Sequence, residues 1–362
     1  MKLKVMQLSV RADMGGGPRH VEHLLTAIYN QIECFVGCPD EKPFFDIYRN
    51  LLGDEKMVII PHRKISINAL LALLRYLKKN NIRIIHCHGK GASVYGKLLK
   101  ILKPNLKLIF TPNGIHVDKY SKFTMFAYVV YEFLTSFLFN HIIYVSESEW
   151  LKAKQSNLYL YNKFSIIPNG VPAFHQPDNV DLASLRNSLF KHPRNKIVVT
   201  FSRFNYQKNM QESLLIAARL PEYNFIWLGI GEDFSAIKDE ISKQNIENVK
   251  MLGVQNNVAS YLGISDAYLS TARWEGLPLA LLEAMAAGIP ILASNVTGNK
   301  DVINQYTGAT YELGDVNDAI TQLKNMLENH PFDRDLIKNY FEKHYSASNT
   351  GTKVLELYKE FA

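Results

Sequence analysis

Short apolar runs alternate with amphipathic stretches along the whole chain, the pattern expected of strands buried on both faces and separated by helices. In the first half the runs predict strands at 3–9, 57–60, 82–87, 107–111, 141–145 and 164–167. After the first of these comes a glycine loop, and then Val21, Leu24, Leu25 and Ile28 fall at helical spacing. Proline and polar residues gather in Pro168-Asn169-Gly170-Val171-Pro172 and again at 175–179. The alternation restarts with a strand over 196–202 and continues with strands at 224–229, 249–252, 267–271 and 289–293. Two β/α/β domains joined near 170–195 follow, residues 1–175 forming the first and 190–334 the second. In such sheets ligands sit beyond the carboxyl ends of the strands, so two domains facing each other place a site in the cleft between them.

One stretch stands apart from the alternation. Residues 123–139 are the most apolar of the chain, include Glu132, and are a little short to span a bilayer. The periodicity predicts a buried helix. The alternative is a helix with one face dipping into the interfacial layer of a membrane, helped by Lys119 and Lys122 beside it.

A length of 362 residues exceeds one ordinary core and suits two domains. With 47% hydrophobic and 21% charged residues the composition is that of a soluble globular protein. No secretory leader pattern is visible, and Cys34, Cys38 and Cys87 fit neither a disulfide scaffold nor a metal-ligand spacing, so a reducing cytosolic setting is expected. Charge is distributed unevenly. Residues 1–175 hold 23 Lys and Arg against 12 Asp and Glu, whereas the remainder holds 18 against 22. The basic first half favours an anionic partner: nucleic acid, an anionic membrane surface or a phosphate-bearing substrate. An ordinary solvated basic surface is the plainer alternative.

The densest chemistry lies in Arg273-Trp274-Glu275-Gly276-Leu277-Pro278-Leu279-Ala280-Leu281-Leu282-Glu283. Pro278 suits the first position of a helix over 279–287, which Gly288-Ile289-Pro290 stops. Glu275 is then presented just before a helix N-terminus, and Glu283 lies on an otherwise apolar helix. A carboxylate on a buried face requires a partner there; a solvated Glu283 and a loop charge at Glu275 are the simpler reading. Arg203 and Lys208 follow the strand 196–202, at the edge where an α/β domain binds ligands. Together they could neutralise a diphosphate without a metal, Arg by its planar fork and Lys as a point charge.

In the first half, Met14-Gly15-Gly16-Gly17-Pro18 opens the first helix and could hold a phosphate or a sugar, or be a plain tight turn. It lacks the G-x-G-x-x-G spacing of a dinucleotide fingerprint. Thr111-Pro112-Asn113-Gly114-Ile115-His116 ends a strand and would bring Asn113 or His116 to the cleft. His86 and His88 form an H-x-H pair without an obvious third ligand. The one D-x-D, Asp333-Arg334-Asp335, starts a helix and does not end a strand, so a metal–diphosphate role is not expected. No P-loop or G-x-S-x-G elbow is present.

With these pieces together, the chain resembles the retaining glycosyltransferases of family 4, which have the GT-B fold. The resemblance rests on Gly15 to Gly17, Pro168-Asn169-Gly170-Val171, Arg203 with Lys208, Gly229-Ile230-Gly231 and above all Glu275 and Glu283, which match the family's E-x7-E motif. It implies a GT-B architecture of two Rossmann-like domains, with a last helix over about 335–362 crossing back onto the first. It implies that Glu283 binds the donor ribose, that Glu275 contacts the donor sugar, and that Arg203 and Lys208 hold the diphosphate. Backbone around Gly276, Leu277, Pro278 and Leu279 would face sugar and phosphate, Val254 in the Gly253-Val254-Gln255 turn the nucleobase, and Gly16 and Gly17 the donor as well. Many relatives carry histidine where this chain has Asn113, which leaves open whether His116 takes over.

The expected activity is transfer of a hexose or N-acetylhexosamine from a nucleotide diphosphate sugar, with uridine preferred as the nucleoside, and with retained configuration. No cofactor or metal is expected. The basic first domain would take a lipid-linked or saccharide acceptor of O-antigen, capsule or lipopolysaccharide synthesis, with the enzyme cytoplasmic and peripheral on the inner face of the cell membrane, and without nucleic acid. A sugar-nucleotide epimerase of the same architecture, and a non-catalytic sugar- or membrane-binding protein, are the rivals.

Overall fold

The structure, a computed structural model, describes residues 2–115, 117, 120–177, 180–255, 257–329 and 332–362. It divides into two compact units, residues up to Gly170 together with Ala347–Ala362, and Val171–Ser346.

In the first unit, strands β1 (Lys4–Ser9), β2 (Glu33–Cys38), β3 (Met57–Ile59), β4 (Ile84–His88), β5 (Lys107–Thr111), β6 (His141–Tyr144) and β7 (Phe164–Ile166) form a parallel sheet in the order β3-β2-β1-β4-β5-β6-β7. Helices α1 (Gly16–Ile28), α2 (Phe44–Leu52), α3 (Ile67–Lys79), α4 (Lys90–Leu102), α5 (Lys122–Thr135) and α6 (Glu147–Gln155) make the crossovers. Successive strand side chains supply opposite faces: Met6, Phe35, Ile85 and Phe110 pack with Leu73 of α3 and Tyr95 of α4. Val5, Val36, Ile84 and Ile109 pack instead with Leu24 of α1 and Tyr48 of α2. Burial on both faces is why these strands read as unbroken apolar runs.

The second unit repeats the plan. Helix α7 (Leu182–Leu189) precedes β8 (Ile197–Phe201), α8 (Met210–Ala218), β9 (Asn224–Leu228), α9 (Phe234–Lys243), β10 (Val249–Gly253), α10 (Val258–Gly263), β11 (Ala267–Ser270), α11 (Leu279–Ala286), β12 (Ile291–Ser294), β13 (Gly308–Tyr311), α12 (Val316–Lys324) and α13 (Arg334–Tyr345). The strands run parallel in the order β10-β9-β8-β11-β12-β13. Strand order reverses between β1 and β4 in one unit and between β8 and β11 in the other, the switch points where open α/β sheets leave a crevice for ligands.

Four details differ from expectation. Strands β2 and β13 were not anticipated, because Glu33 and Gly37 interrupt one apolar run and Gly308 and Thr310 the other. The helix expected over 335–362 is two: α13 packs on α11, the chain turns extended at Ser346, and α14 (Ala347–Lys359) packs on α1. Pro278 is the N-cap of α11 and not its first helical residue, with φ −75 and ψ 111 in the extended region. Finally, α5 is not a buried helix. Among its residues only Glu132 is buried, while Phe123, Phe126, Phe133 and Leu134 face outward.

Glu132 explains how that helix is held. Its carboxylate lies 2.6 Å from the Lys97 ammonium of α4, both side chains being buried, and the ammonium also donates to Thr135 Oγ1 at 2.8 Å. Burial outweighs the mutual attraction, drawing Lys97 below and Glu132 above their ordinary pKa. Met125, Tyr128 and Val129 on the same inner face complete the packing.

Candidate functional site

The loops that follow β8 and β11 flank the switch point of the second sheet, and the charged residues singled out in the sequence lie on them. After β8 the chain runs through Arg203 and Lys208 into α8. Ser202 N–H donates to the Leu228 carbonyl at 3.0 Å and Phe204 N–H to the Ile230 carbonyl at 3.1 Å. This laces the loop to Gly229-Ile230-Gly231. A Cβ on Gly229, whose φ is 119, would stand 2.0 Å from the Ser202 carbonyl oxygen, so only glycine permits the approach. At the loop's far end the Thr271 hydroxyl bonds the Lys208 carbonyl at 3.1 Å and the Asn209 carbonyl at 3.0 Å. Arg273 N–H donates to the Gln207 carbonyl at 2.7 Å, and its guanidinium to Asn209 Oδ1 at 2.6 Å. The two loops thus form one rigid body.

On that frame the Lys208 ammonium sits 2.6 Å from Glu275 Oε1. Gln207 Nε2 donates to the Trp274 carbonyl at 2.9 Å and reaches Glu275 Oε2 at 3.5 Å. Behind Glu275, its N–H bonds the Thr297 carbonyl at 2.9 Å. Gly298, with φ 87, lies so near that a Cβ would meet the Glu275 Cβ at 2.7 Å. Glu283 is half-buried, about one turn into α11. Both carboxylates act on Tyr268. Its buried hydroxyl donates to the Phe201 carbonyl at 3.1 Å, and burial first, then the negative charges of Glu283 and Glu275, push the phenol well up.

Of the other expected residues in this unit, Arg203 is exposed on the loop and Val254 is exposed in the turn after Gly253, whose φ is 67. Leu277 and Pro278 are buried, and Gly276 and Leu279 are partly exposed. With Pro278 as N-cap, the helical N–H groups begin at Leu279 and Ala280, the end of a helix where donors lack carbonyl partners. Arg203, Lys208 and the N-terminus of α11 are groups of the kind that bind anions, and Glu275 and Glu283 are groups that accept from hydroxyls.

In the first unit the glycine loop opens α1 with Gly15 as N-cap, and a Cβ on Gly16 or Gly17 would meet nothing within 4 Å. These two lie on a different unit from the remaining donor candidates. Asn113 adopts the left-handed conformation, φ 56, before Gly114 at φ 111, and its amide Nδ2 is buried without a hydrogen-bond partner. His116 lies outside the described residues. Sequence reasoning missed Glu149, a buried carboxylate that accepts the Gly114 N–H and, at 2.8 Å, the Val145 N–H. The available signal was the capping pattern of Ser146 and Glu149, in which the hydroxyl accepts the Glu149 N–H at 3.1 Å.

The H-x-H pair belongs to a buried network. His86 Nδ1 lies 2.6 Å from the Tyr358 hydroxyl and Nε2 2.7 Å from Thr111 Oγ1, while His88 Nε2 lies 2.8 Å from Gln7 Oε1. Burial holds both well below the ordinary histidine pKa. Among the described residues, the three potential metal ligands that do converge are Asp13, Glu41 and His62. Glu41 is already bonded to His62 at 2.7 Å, and Asp13 to Arg11 at 2.7 Å.

Two parallel Rossmann-like sheets, with the Lys208–Glu275 pair at the switch point of the second, define a doubly wound α/β protein with charged side chains where such folds take ligands. Comparison with known proteins carries this to a family. The model for glycosyltransferase family 4 matches residues 14–173, and the model for glycosyl transferases group 1 matches residues 183–343. The chain belongs to the family 4 type glycosyltransferases, and it is an enzyme of that class with the GT-B fold. It is similar to an Escherichia coli UDP-Gal:alpha-D-GlcNAc-diphosphoundecaprenol alpha-1,3-galactosyltransferase, 27% identical over 71% of this chain and 70% of that one. It is also similar to the Staphylococcus aureus capsular polysaccharide biosynthesis glycosyltransferase CapH, 25% identical over 86% of each chain. Among solved structures, Anabaena HepE in complex with UDP-glucose superimposes with a TM-score of 0.84 over 99% of this chain and 100% of that one, at 16% identity.

Proposed function

We propose that this enzyme transfers a hexose or N-acetylhexosamine from a UDP-sugar to a hydroxyl of a lipid-linked or polysaccharide acceptor, with retained anomeric configuration, in the synthesis of a cell-surface glycan. The observation that carries the reading is the Lys208–Glu275 pair, 2.6 Å apart on the two loops of the β8/β11 switch point, with Arg203 on the same loop and Glu283 on the helix behind. The choice of uridine leans on HepE, which binds UDP-glucose, and on the E. coli relative, which uses UDP-galactose and an undecaprenol-linked acceptor. An anionic, membrane-bound acceptor also suits the surplus of positive charge in residues 1–175.

In this mechanism the bond from the anomeric carbon to the β-phosphate oxygen breaks, and the bond to the acceptor oxygen forms on the same face. The acceptor proton passes to a phosphate oxygen of the leaving diphosphate. Negative charge grows on that diphosphate in the transition state, and Arg203, Lys208 and the N-terminus of α11 stabilise it without reorganisation. Glu275 holds the Lys208 ammonium in place beforehand, and Glu283 receives the ribose hydroxyls. No divalent metal enters the scheme.

A panel of nucleotide sugars tested by thermal shift checks the donor half. At a ligand concentration a hundredfold above Kd, binding adds about 2.7 kcal/mol and raises the midpoint by several degrees. UDP-sugars are expected to give that rise in the natural protein and to lose most of it in Lys208→Ala. A rise with guanosine sugars alone would remove the uridine assignment, and no rise with any nucleotide sugar would remove the donor site.

A further inference from the structure

The outer face of α5 is a continuous apolar stripe. Phe123 (80% exposed), Phe126 (68%), Val130 (38%), Phe133 (64%), Leu134 (61%) and, just beyond the helix, Phe137 (75%) recur at three- and four-residue intervals. Their spacing is that of a helix face meant to be covered. The opposite face already packs on the sheet through Met125, Tyr128, Val129 and Glu132. The stripe continues off the helix, because the Phe133 ring meets Tyr161 edge-on at 6.4 Å, Tyr161 being 86% exposed. Asn162 Nδ2 pins that loop to the Ser136 carbonyl at 2.8 Å.

The surroundings of the stripe say what covers it. Exposed Lys122 begins the helix, and exposed Lys154 and Lys163 border the Tyr161 loop. Among the described residues from 90 to 163 the acidic side chains are Glu132 and Glu149, both buried, and the exposed Glu147 at the start of α6. Exposed phenylalanines and a tyrosine flanked by Lys122, Lys154 and Lys163 complement a surface with an apolar interior and an anionic rim, which is a lipid bilayer with acidic headgroups. A second copy of this chain would bring the same three lysines against themselves.

We infer that the outer face of α5 and the Leu160–Tyr161 loop dock this enzyme on an anionic membrane, with the phenylalanines in the headgroup–acyl boundary and the lysines on the headgroups. Lys90 lies over the rings of Tyr120, just before α5, and Tyr128 on its inner face, 5.0 and 4.5 Å from their centroids. Lys90 is also the first residue of α4, directly after β4 and Gly89. The docked face therefore adjoins the carboxyl edge of the first sheet, where an acceptor head group rising from the lipid would arrive. The inference deepens the proposed acceptor class but stands on the exposed helix.

Co-sedimentation of the full chain with phosphatidylcholine vesicles, and with vesicles containing an equal part of phosphatidylglycerol, tests it without donor or acceptor. Binding to the anionic vesicles is expected. The doubly substituted Phe126→Ser, Phe133→Ser chain should lose about tenfold or more in vesicle affinity while its circular dichroism and Tm stay unchanged. Lys122→Glu with Lys163→Glu should abolish the preference for phosphatidylglycerol. Equal binding by natural and phenylalanine-substituted chains would overturn the inference. So would absence of vesicle binding, and so would a dimer in light scattering that those phenylalanine substitutions dissolve. Release of UDP as sugar passes to a soluble acceptor, assayed separately, distinguishes loss of this surface from failure of the transferase reading.

Discussion

At the scale of residues, the site depends on a lysine held by a carboxylate. Lys208 and Glu275 approach to 2.6 Å, so each variant tests a different part of the account. Lys208→Ala removes a donor to the leaving diphosphate and is expected to lower kcat by about 10²- to 10³-fold. Glu275→Gln keeps a hydrogen-bond acceptor for the ammonium but removes the charge, and is expected to lower kcat while leaving the protein as stable as the natural one. Steady-state kinetics beside a thermal melt check both; unaltered turnover in either variant would remove that residue from the reaction. The glutamates and cations could be read in the sequence because their spacing on one loop and one helix is local. Thr271 and Gly298 could not. They act across the fold, on the Lys208 carbonyl and behind the Glu275 Cβ, and their own neighbours in the chain give little hint of it.

At the scale of elements, α5 shows how composition can mislead. An apolar run announces a helix that avoids water, but it does not say whether protein or lipid takes water's place. Its one acidic residue settles the orientation, since Glu132 faces inward to meet Lys97. Glu132→Ala is expected to destabilise the protein by about 3–5 kcal/mol, because a buried ammonium is left unpaired. Glu132→Gln keeps a carbonyl acceptor for Lys97 and should cost less. Urea unfolding measures both, and a cost below about 1 kcal/mol for the alanine variant would show that water reaches Lys97 and that the helix is not anchored there. Most strands were legible for a simple reason: a strand buried on both faces is a short apolar run. β2 and β13 escaped because Glu33, Gly37 and Gly308 break that signal, and neighbouring strands supply the pairing that propensity does not.

At the scale of the molecule, two doubly wound units follow from the alternation of strands and helices, whereas the turn at Ser346 between α13 and α14 does not. Residues 335–345 and 353–359 read as helical, 346–352 are, Ala347 apart, poor helix formers, and packing on α11 and then on α1 fixes where the two helices part. The first unit also carries a pH dependence. Burial lowers His20 to about 4 and His23 to about 3, and holds His86 and His88 well below the ordinary value. Unfolded histidines titrate near 6.5. Above that pH both states are neutral and stability is at its full value. As pH falls below it the unfolded chain takes up protons that the folded chain refuses, so stability declines progressively toward pH 4. Urea midpoints measured from pH 7.5 to 4.5 should fall throughout the lower part of that range; a flat profile would mean that these rings protonate in place.

The central claim is that a nucleotide sugar is split by fixed protein cations and its sugar passed to an acceptor. It is tested most directly by nucleoside diphosphate release, followed with and without an undecaprenyl-diphosphate saccharide acceptor, in excess EDTA. The account predicts release that is slow alone, strongly stimulated by acceptor, and undiminished by the chelator. Release that requires added divalent metal would contradict the role of Arg203 and Lys208. Conversion of the nucleotide sugar with no dependence on acceptor would contradict the transfer itself.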